Sequence, residues 1–230
     1  MIRALPYVVS GALCACLASG CASYGSHLTA TPVRPGDNQA GLHVDAVLMD
    51  RGFGPQVLPN PELAFRVGYS ENVDFGGRVN AAGLELNSLL RLERSEALDV
   101  ALSPYVGAGF VPLTNRDTGI LRAPLGARLL FGWHASQEVD VVLGLTGAVE
   151  AQAPLYSLGG RPEHVRFLVS PGGSVGAIFP WGASLRIHPE LSLTAPYDPS
   201  DRGLHDANSD GFQKPIVQAG IAFKWLTGGP

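Results

Sequence analysis

The chain has 230 residues, with 20 Asp and Glu against 16 Lys and Arg and a formal net charge of -4. Only 16% of its residues are charged, against roughly 25% in soluble domains, and the negative balance excludes nucleic-acid binding through a basic field. The 29 Gly and 18 Pro break up long helices, and after the N-terminal leader no stretch approaches the roughly 20 apolar residues of a membrane-spanning helix.

In chain order, the leader comes first. Arg3 is followed by a run without Asp, Glu, Lys or Arg up to Arg34, and residues 4–18 form an apolar segment of signal-peptide length. The run ends Leu17-Ala18-Ser19-Gly20-Cys21, which resembles the lipobox of bacterial lipoproteins and implies a signal peptide over 1–20 and acylation of Cys21. The usual lipobox Leu, three residues before the Cys, is here Ala18, and Leu17 stands one further back. Leu13-Cys14-Ala15-Cys16 has the usual spacing, so Cys16 competes; the small residues before Cys21 favour the later site. Cleavage there leaves one Cys and hence no internal disulfide. Acylation removes a thiol that would be reactive in an oxidising periplasm. In the lipoproteins this segment resembles, Asp after the Cys favours retention in the inner membrane; Ala22 in its place implies the outer membrane.

Residues 21–40 carry Pro32, Pro35 and Gly36 and no periodic apolar face, so the reading is a flexible tether on the periplasmic side. From Gly41 the period becomes two, the mark of a strand. Alternating segments lie at 41–49, 62–70, 73–81, 83–93, 98–111, 121–133, 139–149, 167–179, 183–193 and 217–225. In the sixth, Leu121, Ala123, Leu125, Ala127, Leu129, Phe131 and Trp133 oppose Arg122, Gly126, Arg128 and Gly132. Most segments are near the 9–11 residues of a tilted bilayer-crossing strand. Connections are short at 70–72, 94–97, 134–138 and 180–182 and long at 50–61, 112–120, 151–166 and 195–214, with Ala82 the exception. The fold class that follows is all-β: a closed, antiparallel, up-and-down transmembrane β-barrel over 41–226, with 227–230 as a tail. Ten strands are counted, with eight as the alternative closure.

This pattern resembles the small outer-membrane barrels of Gram-negative bacteria, which implies periplasmic short turns, outer long loops and both termini in the periplasm. Tyr69, Phe75, Phe131, Trp133, Phe179, Trp181, Phe223 and Trp225 fall beside the short turns, as an interfacial aromatic girdle does. The last strand, with Phe223 and Trp225, resembles the signal read by the barrel-assembly machinery, which with outer-membrane lipid is an implied partner. Inward positions carry eight acids, among them Asp45, Glu62, Glu85 and Asp99, and seven bases, among them Arg66, Arg78, Arg128 and Lys224. Near-equal signs point to an interior ion-pair network. On this assignment Arg at Leu129 or Ile221 obstructs insertion, and Ser at Gly126 is mild.

Three constellations could carry chemistry. Asp206, Asn208, Asp210 and Gly211 match the opening of a calcium loop, in a 195–214 segment that also holds Asp198 and Asp201; the twelfth position is Val217, so a complete EF-hand is excluded. His134-Ala135-Ser136 resembles part of the His-x-Ser motif of outer-membrane lipid A deacylases, in which His activates a Ser nucleophile, although Gln137 stands where those enzymes have Asn. Arg186, His188 and Glu190 share one strand face, suited to a ligand or a proton. The functional expectation is a non-enzymatic envelope barrel with a structural or surface-interaction role, with or without a narrow passage. Its alternative is a membrane-embedded lipid hydrolase using His134 and Ser136.

Overall fold

The computed structural model describes residues 25–50, 55–80, 82–113, 118–136, 138–155, 165–199 and 215–227. The signal peptide, Cys16, Cys21 and the calcium-loop residues Asp206, Asn208 and Asp210 lie outside them. Ten strands are present among the described residues: β1 (Asn38–Asp50), β2 (Pro55–Ser70), β3 (Val73–Asn80), β4 (Gly83–Arg94), β5 (Leu98–Leu113), β6 (Thr118–His134), β7 (Asp140–Leu155), β8 (Arg166–Trp181), β9 (Leu185–Thr194) and β10 (Ile216–Thr227). Each pairs antiparallel with its neighbour in sequence, and β1 closes on β10, with Val44 opposite Ile221. The barrel is therefore closed and ten-stranded, which settles the choice between eight and ten.

Period two becomes two faces. Leu63, Phe65, Val67, Leu125, Leu145, Leu191 and Ile221 are exposed on the outside, while Asp45, Glu62, Asp74, Arg128 and His188 are buried inside. Such an apolar exterior over a polar interior is that of an outer-membrane barrel. The aromatic girdle forms at the short-turn end, where Tyr69 and Phe75 meet edge to face at 5.7 Å and Phe131 stacks on Trp133 at 6.3 Å.

Several strands exceed their expected lengths at the other end. β2 starts at Pro55 rather than 62 and β7 runs to Leu155 rather than 149, so much of the expected loop sequence is strand. Pro59 and Pro61 fall in the 50–61 connection, and proline cannot donate to a ladder. In the structure β3 joins β2 from the Glu62–Asn80 pair onward, and Pro59 and Pro61 precede that ladder, a place where a strand tolerates proline. The eight-residue β3 and its turn into β4 thus make the barrel wall low. Beyond the Gly83–Gly109 pair, β5 continues with no β4 partner. There the wall is notched between β2 and β5.

A larger correction concerns the tether. Gly25, Ser26, His27, Leu28, Ala30 and Val33 are all buried, because the segment from Gly25 to Pro35 runs inside the barrel. Two inward glycines give it room. A Cβ at Gly68 would lie 1.8 Å from the Arg34 carbonyl oxygen, and one at Gly132 would lie 2.9 Å from Ala30 Cβ. The lack of an apolar period here follows from that location, since a strap threaded through a polar lumen has no single face to bury.

Candidate functional site in the lumen

Inward acids at successive heights hold the threaded segment. Nearest the short turns, Asp74 accepts the Val33 N–H at 2.8 Å and a bond from Arg66. Asp99 accepts the Thr31 hydroxyl at 2.6 Å. Above them, Leu28 and Ala30 pack into an apolar cluster with Leu89, Ala101, Leu130, Val142 and Ile178, contributed by five neighbouring strands. Higher still, Glu190 accepts the N–H groups of Ser26 and His27 at 2.6 and 2.8 Å and the Ser26 hydroxyl at 3.0 Å. Gly25 donates to Gln218 at 3.0 Å and its carbonyl receives Arg78. Backbone groups of an irregular segment in a lumen must find such partners, because leaving them unpaired is costly.

A histidine cluster occupies the middle of the lumen. His27 Nε2 donates to Asp45 Oδ1 at 2.7 Å, and Gln218 donates to the other Asp45 oxygen at 2.7 Å. The His27 ring lies 4.7 Å from that of His43 and 5.6 Å, edge on, from that of His188. His43 Nδ1 donates to Glu62 at 2.7 Å, and Lys224 Nζ donates to His188 Nδ1 at 2.8 Å.

Toward the notch the lumen narrows again. Glu85 accepts both Nη groups of Arg128, each at 2.8 Å, and Arg78 at 2.7 Å. Arg128 also lies 3.8 Å over the Tyr105 ring, a cation–π contact. Arg122 binds the Glu150 carboxylate with two nitrogens. The cavity left among these groups is about 90 Å³, a few waters rather than a solute. The interior ion-pair network expected from balanced inward charges is thus in place.

The sequence-predicted residues fare differently. His188 and Glu190 face inward and meet the threaded segment, whereas Arg186 is half-buried and lies opposite Lys224 in the register. His27 and His43 were not anticipated as their companions. His27 stood in a stretch read as tether; His43 sits on the inward parity of β1 and was legible as a lumen residue. His134 and Ser136 are not brought together as base and nucleophile among the described contacts. His134 Nδ1 bonds Asp140 at 2.8 Å and its Nε2 faces Asp99 at 3.7 Å, while Ser136 Oγ accepts the Glu138 N–H at 3.2 Å.

No protein-family model matches the chain, and no curated protein is similar to it. Solved structures are similar in fold alone. Neisserial surface protein A shares 10% identity over 83% of this chain and 98% of its own, with a TM-score of 0.43. An outer-membrane channel of Pseudomonas putida F1 shares 9% over 90% and 100%, with a TM-score of 0.48. The attachment invasion locus protein of Yersinia pestis shares 10% over 84% and 99%, with a TM-score of 0.38.

Proposed function

We propose that the chain is a non-enzymatic outer-membrane barrel whose lumen is stoppered by its own N-terminal segment, with a structural or surface-interaction role exercised at the long-loop end. The observation that carries this reading is the succession of Asp74, Asp99, Asp45 and Glu190 bonds to residues 26–33. A porin would spend inward charge on lining a passage, whereas here it fixes a strap across one. The lipid anchor on Cys21, on the periplasmic side that the sequence implies, belongs to the same proposal. The segment climbs from Asp74 beside the short turns to Gly25 beside Arg78.

Planar-bilayer recording of purified protein tests the stopper. The full chain should give no steady conductance, and deletion of residues 25–35 should open one; equal conductance of both overturns the reading. Acyl release from lipid A that disappears in Ser136→Ala would establish the hydrolase instead. Mass spectrometry of the N-terminal peptide, with and without exposure of intact cells to a surface-restricted protease, tests the anchor and its side.

A further inference from the structure

Two buried nitrogens in the histidine cluster have no hydrogen-bond partner among the described residues: His27 Nδ1 and His188 Nε2. His27 is 2% exposed and His188 0%. Leaving such atoms unpaired in a dry interior is costly. A ligand nitrogen from each ring and a Glu190 carboxylate oxygen all lie within 4.8 Å of one another. His188 Nε2 itself is 3.9 Å from Glu190 Oε2. Binding at the roughly 2.0–2.2 Å that zinc takes with imidazole and carboxylate draws these atoms closer together than they stand.

We infer that His27, His188 and Glu190 form a site for a divalent transition ion of the zinc class, which clasps the N-terminal strap to β9. Donor type selects the ion: two imidazoles and one carboxylate suit zinc rather than calcium or magnesium, which prefer all-oxygen shells. The surroundings fit as well. His27 donates its other nitrogen to Asp45, the carboxylate–histidine–metal arrangement that fixes ring orientation and raises ligand basicity. A cavity of about 20 Å³ bordered by Ser26, His27, His43 and Lys224 adjoins the cluster, enough for one water. On the far side of His188, Lys224 Nζ now donates to Nδ1. With metal on Nε2 the ring proton sits on Nδ1, where it faces the Lys224 nitrogen. One ligand comes from the strap and two from β9, so the ion reinforces the join that Glu190 makes between them through hydrogen bonds.

The test uses the full mature chain in detergent, stripped with chelator and titrated with zinc against a competing indicator, with cobalt as a spectroscopic reporter. Expected is one ion per chain, with a visible cobalt spectrum of four-coordinate nitrogen and oxygen ligation. His27→Ala and His188→Ala should each weaken binding by about a hundredfold or more, and Asp45→Asn by about 10–100-fold, the usual effect of losing such an outer partner. His27 is on the strap and outside the wall ladder, so its variant should still close the barrel, as heat-modifiable gel migration reports. His134→Ala, which removes the exposed pair with Asp140, should leave binding unchanged. Absence of zinc binding by the full chain overturns the inference. So does undiminished binding in the His27 variant, or loss in His134→Ala alone. The stopper reading stands or falls separately, on conductance.

Discussion

Glu190, on β9, accepts the backbone N–H of His27 at 2.8 Å inside a lumen where neither residue reaches solvent. A charged acceptor on a buried amide contributes about 1.5–3 kcal/mol, and Glu190 serves Ser26 in the same way. Glu190→Ala should therefore loosen the strap more than the barrel. Hydrogen exchange at the Ser26 and His27 amides is the measurement, with acceleration of about tenfold to a hundredfold expected, since each 1.4 kcal/mol is a factor of ten. Unchanged exchange would mean that the strap is held elsewhere.

Leu28 supplies the other hold. It is buried against Leu89, Leu130 and Ile178, and truncating a buried leucine to alanine costs about 2–5 kcal/mol. The wall strands are bonded to one another and not to Leu28, so the loss in Leu28→Ala should appear as strap release. Exchange across residues 25–35 and the onset of conductance should rise together, while the barrel's urea midpoint moves little. A large midpoint shift without strap release would contradict this division.

How much of this was legible in the sequence follows from what period two records. In β6, Leu121 to Trp133 alternated cleanly, and the structure keeps every one of those assignments, with Arg122 and Arg128 buried and Leu121, Leu125 and Trp133 exposed. Alternation reports which way a side chain points; it does not say what it meets. Leu89, Leu130, Val142 and Ile178 are apolar residues on the inward parity, and all four prove to be the wall of the strap's apolar cluster. Four inward hydrophobics near one end of a polar lumen are a signal that something apolar fills it. What fills it was obscured because Gly25 to Pro35 pairs with no strand and shows no period. The histidine cluster was half visible for the same reason: His188 and Glu190 sit on a regular strand, and His27 does not.

The outer face makes its own prediction. Ile221 is 43% exposed and pairs with Val44 and Pro189 on the apolar exterior. Arginine near the bilayer midplane of a barrel costs about 2–4 kcal/mol. Ile221→Arg should lower the yield of folded protein in vesicles, read by gel migration, while detergent folding is less affected. Equal folding in both would remove Ile221 from the lipid face.

Glu85 joins two guanidinium groups, and its carboxylate is the only acid bonded to Arg128 among the described contacts. Removing one partner of a buried pair leaves an uncompensated charge, at about 3–5 kcal/mol. Glu85→Gln keeps the shape and removes the charge, so it should depress the urea midpoint clearly more than Glu93→Gln, since Glu93 is exposed. Similar midpoints for the two would show that solvent screens the Glu85 site.

Gly126 carries the last prediction, and here the structure reverses the sequence reading that serine would be mild. A Cβ built there lies 2.6 Å from the Gly147 carbonyl oxygen and 2.7 Å from the Tyr105 ring. Tyr105 is held under Arg128, and the carbonyl belongs to the β6–β7 ladder, where Ala127 pairs with Gly147. Neither gives way without disturbing the Glu85 network or the register. Overpacking of this kind costs about 1–3 kcal/mol. Gly147, one pair along and pointing outward, has nothing within 4 Å of its own added Cβ. Gly126→Ser should thus shift the urea midpoint down, and Gly147→Ser should leave it in place. If the two variants unfold together, the tight approach of Tyr105 to β6 is not a feature of the folded protein.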